Sequence, residues 1–300
     1  MPDPFASLFR ARLRSGPPLV LDAALGTDLL ARGARLPAPL WSAQALLDVP
    51  DLVEAIHREN AEAGADVLTI ASFRLHERNL DKSVCSLSQR ALLSIAVDAA
   101  RGGLSGIAIA GSLAPLEDCY RPDRVPSEAE LSSEHHEMAR ELARAGVDLI
   151  LVETMNTVRE AVAAARSAAA TGLPVVVSCV TDGRGRLLSG ENVEDLSRAL
   201  VALPSPPDAL GINCVAAGDL AGDLARLAAA APGVPLAAYG NTFAKPVSPA
   251  DYAALAIEWV RLGARLVGGC CGTTAAHTAA VARQFRENSP ESSSRGASGP

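Results

Sequence analysis

Eight short apolar runs recur along the chain, each followed by an alanine-rich segment with helical spacing. This alternation restricts the fold more than any other feature. The runs are PLVLDA at 18–23, DVLTIA at 66–71, GIAIAG at 106–111, DLILVE at 148–153, PVVVSCV at 174–180, DALGIN at 208–213, PLAAYG at 235–240 and RLVGG at 265–269. Each has the length of a strand and carries consecutive apolar residues, as expected of parallel strands covered on both faces. The intervening helical pattern runs over 51–63, 87–100, 127–145, 157–170, 192–203, 220–231, 248–262 and 273–286. Most of these segments end in a small turn of the kind AGAD, AGVD, LGAR or TGLP, with glycine where a helix C-terminus needs positive φ. Eight strand-helix cycles predict an α/β fold of the (β/α)8 TIM-barrel type, one domain over residues 1–287. An open doubly wound sheet is the alternative. The closing ENSPESSSRGASGP has little to bury, so 288–300 are expected to form a disordered tail.

Charge narrows the partners. A formal net charge of -7 with no basic block leaves neither a nucleic-acid surface nor attraction to an anionic membrane. No apolar run reaches the length of a membrane span. The N-terminal MPDPFASLFRARLRSGPP lacks the order of a signal peptide, its arginines following its apolar residues. A cytoplasmic address follows as an expectation, and with it six reduced cysteines. Oligomeric state stays open between monomer and homodimer.

A barrel brings the carboxyl ends of its strands to one rim, where such folds place their chemistry. Asp22, residues 69–73, Gly111, Ser112, Glu153, Cys179, Asn213, Cys214, residues 239–241, Cys270 and Cys271 stand there. Cys214 ends the sixth strand; Cys270 and Cys271 follow the eighth, one strand away. Glycines at 268, 269 and 272 let that loop bend. Zinc takes thiolates tetrahedrally and keeps a position open in catalytic sites. Three thiolates give a centre of net charge 2 − 3 = −1, poor at activating water and better suited to holding a substrate thiol as thiolate. Transfer of an electrophilic group such as methyl onto a thiol is the natural chemistry. GGCCG before a helix can also cradle a phosphate, and free cysteines can simply be small buried hydrophobes. Packing is the expectation for Cys85, Cys119 and Cys179. Glu153 and Asp22 can hold an ammonium or serve as charges near helix N-termini; Trp41 can be a lid or a loop anchor. His57, His76, His135, His136 and His277 show no ligand spacing, and most are expected to face solvent.

At these residues the sequence resembles the homocysteine S-methyltransferase family, from about 19 to 286. The resemblance rests on LDAALGTDLL, on PLWSAQ followed by AGAD and TIASF, on LVETMNTVREA, and on GINC with GGCCGTT. It implies a zinc-dependent (β/α)8 barrel that methylates homocysteine to methionine. Cys214, Cys270 and Cys271 would hold Zn2+, with the homocysteine sulfur as fourth ligand. Glu153 would hold the ammonium; Asp22 and the backbone at Ala23 and Ala24 would help seat the substrate; Asn241 would lie beside the metal. Trp41, Ser72 and Phe73 complete the expected substrate-binding set. Departures from the family pattern are Ala23 in place of glycine, Gly240 in YGN in place of YPN, GTTAAHT in place of GTTPEHI, and GSLAPLEDCY in the donor loop. S-methylmethionine, S-adenosylmethionine and a betaine-type onium are the candidate donors. A different thiol or selenol acceptor, or a zinc- and thiol-binding barrel without turnover, are the alternatives.

Overall fold

The computed structural model describes residues 4–243 and 245–288. Its eight strands are β1 (Leu19–Val20), β2 (Val67–Thr69), β3 (Ala108–Leu113), β4 (Leu149–Met155), β5 (Val175–Cys179), β6 (Ala209–Ala216), β7 (Leu236–Asn241) and β8 (Ala264–Gly269). Each lies within a predicted run or overruns it by one to three residues. All neighbours pair in parallel, in the order β1-β8-β7-β6-β5-β4-β3-β2. A parallel bridge between Leu21 and Val67, with the Asp22 amide donating to the Val67 carbonyl at 3.0 Å, closes the ring between β1 and β2. Closure excludes the open doubly wound sheet; the fold is a (β/α)8 barrel.

The glycine-terminated turns do what their sequence predicts. Gly64, Gly146, Gly172 and Gly263 all have positive φ. The aspartates at three strand starts have a shared task. Asp66, Asp148 and Asp208 each accept the first or second amide of a neighbouring strand, from Val20, Ile109 and Val175, at 2.7–3.0 Å. An aspartate there satisfies amides that the slanted parallel ladder would leave without a partner.

Among the described residues four α-helices were not predicted: the single turns Ala45–Asp48 and Glu77–Leu80, and two longer ones. Pro4–Ser15 covers the amino-terminal end of the barrel, where Phe9 and Leu13 pack on Leu19, Leu149 and Leu266. Arg10 and Arg12 tie it to Asp208 and Asp66 at 2.8 and 2.9 Å. Leu25–Ala31 follows β1 on the opposite, carboxyl-terminal rim. The expectation of solvent-facing histidines is corrected: His57, His76, His135 and His277 are all buried, and His136 alone is exposed. His76 and His135 stack edge to face at 5.7 Å, an arrangement set by tertiary packing rather than by helical period. The expected tail lies, apart from Asn288, outside the described residues. Among the described residues no helix is long and apolar enough to cross a membrane.

Candidate metal and substrate site

The carboxyl-terminal rim surrounds a cavity of about 520 Å³. Into it open Cys214, Cys270 and Cys271, whose sulfurs all lie within 4.8 Å of one another. Three local features shape the rim around them. Strand β6 slips register between Asn213 and Ala216, and Cys214 at the slip takes φ 54°, a left-handed conformation rare for a residue with a side chain. Strand β4 slips in the same way between Val152 and Met155, with Thr154 at φ 60°. After β8, the chain turns on Gly269 so tightly that a Cβ there would lie 2.2 Å from the Thr273 hydroxyl, while the Thr273 hydroxyl donates to the Cys270 carbonyl at 2.7 Å.

The two bulges are fastened to each other by Asn213. Its side-chain oxygen accepts the Thr154 amide at 2.9 Å, and its amide nitrogen donates to the Thr154 hydroxyl at 2.8 Å. One fully buried side chain therefore fixes Glu153 relative to Cys214. Sequence reasoning noted Asn213 on the rim without this role, because its partner lies 59 residues away. Asn213→Ala strips the buried Thr154 amide of its acceptor and is expected to lower unfolding free energy by about 2–3 kcal/mol. Misplacement of Glu153 against the sulfurs should lower catalytic efficiency by about tenfold or more. Denaturant unfolding and steady-state kinetics on the one variant check both.

The sulfurs suit a tetrahedral soft metal. Cys214 Sγ and Cys271 Sγ are 3.6 Å apart. That is far from a disulfide, whose sulfurs lie about 2.0 Å apart, and close to the separation of about 3.8 Å between two sulfurs each about 2.3 Å from a tetrahedral zinc. Hydrogen bonds from the Cys270 and Cys271 thiols hold the Cys214 thiol well below its ordinary range, and the same contacts with Cys214 push the other two up. A divalent ion held by the three sulfurs would favour the thiolate form of all of them. Asn241 donates to the Cys214 carbonyl at 2.7 Å, and its side-chain oxygen is buried without a protein partner. It stands behind the cluster rather than on the cavity wall.

Two buried carboxyls face the same cavity. Asp22 accepts the Thr69 amide at 2.8 Å and the Thr69 hydroxyl at 3.0 Å; Glu153 accepts the Ser112 hydroxyl. Burial pushes Asp22 up to about 8 and Glu153 up to about 7, and no lysine or arginine offsets it at either group. Such a pair lacks a fixed counter-charge and can receive a cation.

The remaining expected residues divide. Ala23 and Ala24 line the cavity, but their amides already donate to Asn60 and Thr273 at 3.1 and 3.2 Å. Trp41 and Phe73 meet edge to face at 6.3 Å on the wall. The Trp41 ring lies across Gly26, where a Cβ would approach it to 2.4 Å, so glycine there is required for the ring to lie flat. Ser72 turns its hydroxyl to the Ser112 carbonyl at 2.9 Å and lies behind the wall. Cys179 and Cys119 are buried, and burial pushes both thiols up; Cys119 lies on the wall, whereas Cys85 sits apart and half-buried. Tyr120 and Arg74, on the same wall, were not anticipated.

Comparison with known proteins agrees with this geometry. The family model described as homocysteine S-methyltransferase matches residues 19–285. A homocysteine S-methyltransferase of Escherichia coli K12 is 31% identical, over 91% of this chain and 96% of that protein. Homocysteine S-methyltransferase 4 of Zea mays is 29% identical over 89% of each, and a selenocysteine methyltransferase of Astragalus bisulcatus is 28% identical over 87% of this chain and 90% of that protein. The crystal structure of the Escherichia coli homocysteine methyltransferase MmuM in its metallated form superposes with a TM-score of 0.81 at 29% identity, covering 92% of this chain and 99% of that one. With the family model spanning nearly the whole barrel and the sulfur cluster where its GINC and GGCCG motifs lead, the chain belongs to the homocysteine S-methyltransferase family.

Proposed function

We propose that the protein transfers a methyl group from a sulfonium donor, S-methylmethionine before S-adenosylmethionine, to the thiol of homocysteine, with zinc as its metal. The observation that carries this is the three-sulfur cluster opening into the same cavity as two buried, uncompensated carboxyls. Cys214, Cys270 and Cys271 would hold the zinc, which when bound keeps a substrate thiol deprotonated at neutral pH. Glu153 receives the ammonium of homocysteine, with Asp22 beside it adding negative charge and seating the substrate against Ala23 and Ala24. The aromatic wall of Trp41 and Phe73 offers its faces to a sulfonium and excludes water from it. Arg74 lies over Phe73 at 5.5 Å, lines the cavity, and among the described residues has no carboxylate within ion-pair distance. One of its N–H groups donates to the Glu117 carbonyl at 3.0 Å, and the remaining ones can meet a donor's carboxylate, which favours an amino-acid sulfonium.

In-line attack turns a cationic sulfonium into a neutral thioether, so the negative rim stabilises the approach of the donor, and fixed orientation of the two sulfurs supplies much of the rest. Thiols that must stay reduced agree with a reducing compartment such as the cytoplasm. The test is methionine formation from homocysteine, with S-methylmethionine, S-adenosylmethionine and betaine offered separately, each with and without a chelator. Chelator-sensitive methionine from S-methylmethionine is the expected result. The Astragalus relative makes selenocysteine a worthwhile second acceptor in the same assay. No product from any pair, with zinc bound, would overturn the proposal in favour of a non-catalytic binder.

A further inference from the structure

A site that binds a methylating agent beside cysteine thiolates has a selectivity problem: its own ligands are nucleophiles too. Misdirected attack is chemically complete without any other reagent. The donor's C–S bond breaks, its electron pair stays on the departing neutral thioether, and a cysteine lone pair forms the new S–CH3 bond. The product is S-methylcysteine, with the sulfonium and thiolate charges cancelled and no proton moved. A thioether lacks the thiolate charge that holds the metal, so a single such event would end activity.

The segment after β3 reaches over this cluster. Leu116 donates its amide to Glu160 at 2.9 Å, Asn156 donates to the Cys119 carbonyl at 2.9 Å, and the Tyr120 amide donates to Asp118 at 2.9 Å. Held in this way, Tyr120 brings its hydroxyl to 3.3 Å from Cys214 Sγ. A thiolate can only accept, so with Cys214 ionised the phenol is the donor. Among the described residues, neither Cys270 nor Cys271 has a hydroxyl hydrogen-bonded to its sulfur. All three cysteines line the cavity with Tyr120 and Glu153, and Cys214 carries the hydrogen bond to the phenol.

We propose that Tyr120 protects Cys214 from methylation, its O–H engaging a lone pair of the sulfur so that methyl passes to the substrate thiol instead. Tyr120 is a positioning residue in this scheme, acting through Cys214, and the scheme rests on the methyl-transfer function proposed above. A charge-assisted hydrogen bond lowers the nucleophilicity of its acceptor; removing it by Tyr120→Phe, which keeps the ring, should speed methylation of Cys214 by about tenfold or more.

The experiment exposes zinc-loaded wild type and Tyr120→Phe to S-methylmethionine without homocysteine and, separately, to methyl iodide. Peptide mass spectrometry follows one added methyl at each cysteine. The expected result is faster accumulation at Cys214 in the variant than in wild type, with the rates at Cys270 and Cys271 unchanged. Equal rates at Cys214 in the two proteins with both reagents, or a like increase at all three cysteines, overturns the proposal. Methyl iodide needs no donor recognition, so it tests Tyr120 even where wild type makes no methionine, and that failure would count against the proposed function alone.

Discussion

Serine in place of Cys270 is expected to abolish binding of the proposed zinc and to lower methionine formation by more than about a hundredfold. Even residues one layer out from a metal ligand typically change affinity or activity by about ten- to a hundredfold, and here a ligand itself is lost. Serine is close to cysteine in size, and the backbone around position 270 is held independently: its amide donates to the Gly240 carbonyl at 2.9 Å, and its carbonyl accepts the Thr273 hydroxyl. The fold should therefore survive while the site does not. A serine hydroxyl stays protonated where a thiol ionises, and two sulfurs cannot hold zinc as three do. Elemental analysis after dialysis, beside circular dichroism, separates loss of metal from loss of structure. Full zinc occupancy together with wild-type turnover in this variant would sink the three-sulfur assignment.

The parts of this molecule legible in its sequence are those governed by local periodicity. Eight strands and their eight helices follow from consecutive apolar residues and glycine stops, because a parallel strand must be apolar on both faces. The sulfur cluster was legible for a related reason: once strands six and eight are known to flank strand seven, Cys214 and the 270–271 pair have one rim to share. What stayed hidden depends on contacts between distant segments. The N-terminal helix carried a faint signal, Phe5, Phe9 and Leu13 at fourfold spacing, but prolines and arginines around it masked the stripe. His76 and His135 read as ordinary helix residues until packing placed them ring against ring. Asn213 and Thr154, which hold the two bulges together, lie 59 residues apart, and Tyr120 reaches Cys214 across 94. Left-handed φ at Thr154 and Cys214 is likewise invisible in sequence, since neither residue favours it. Strain of this kind persists where surrounding contacts impose it, and here it surrounds the site.

Replacing Glu153 with glutamine should raise KM for homocysteine by about ten- to a hundredfold, the range for losing a charge-assisted hydrogen bond, with kcat changed less. The same substitution should separate two pH effects that run in opposite directions. In the unliganded protein burial pushes Glu153 from 4.5 to about 7. Between those values the folded state keeps a proton that the unfolded state has released. The resulting stability is fully present below about pH 4.5 and is lost as pH rises through about 7. Glutamine has no such proton to lose, so the Tm of Glu153→Gln relative to wild type should climb between pH 5 and pH 8. Homocysteine binding behaves in the other sense. Its ammonium stays charged across this range, and it needs the carboxylate, so wild-type affinity should strengthen as pH rises through 7 while the variant's dependence is weaker. Asp22, pushed up to about 8 by burial, extends the wild-type window upward and remains in the variant. Stability that falls while affinity rises is what a buried carboxyl kept for a cationic ligand must show, because the ligand offsets the burial that destabilises the empty site. A structural carboxyl would change stability alone. Unchanged homocysteine KM in Glu153→Gln, with the Tm difference still climbing, would assign Glu153 to the framework and leave the ammonium to Asp22.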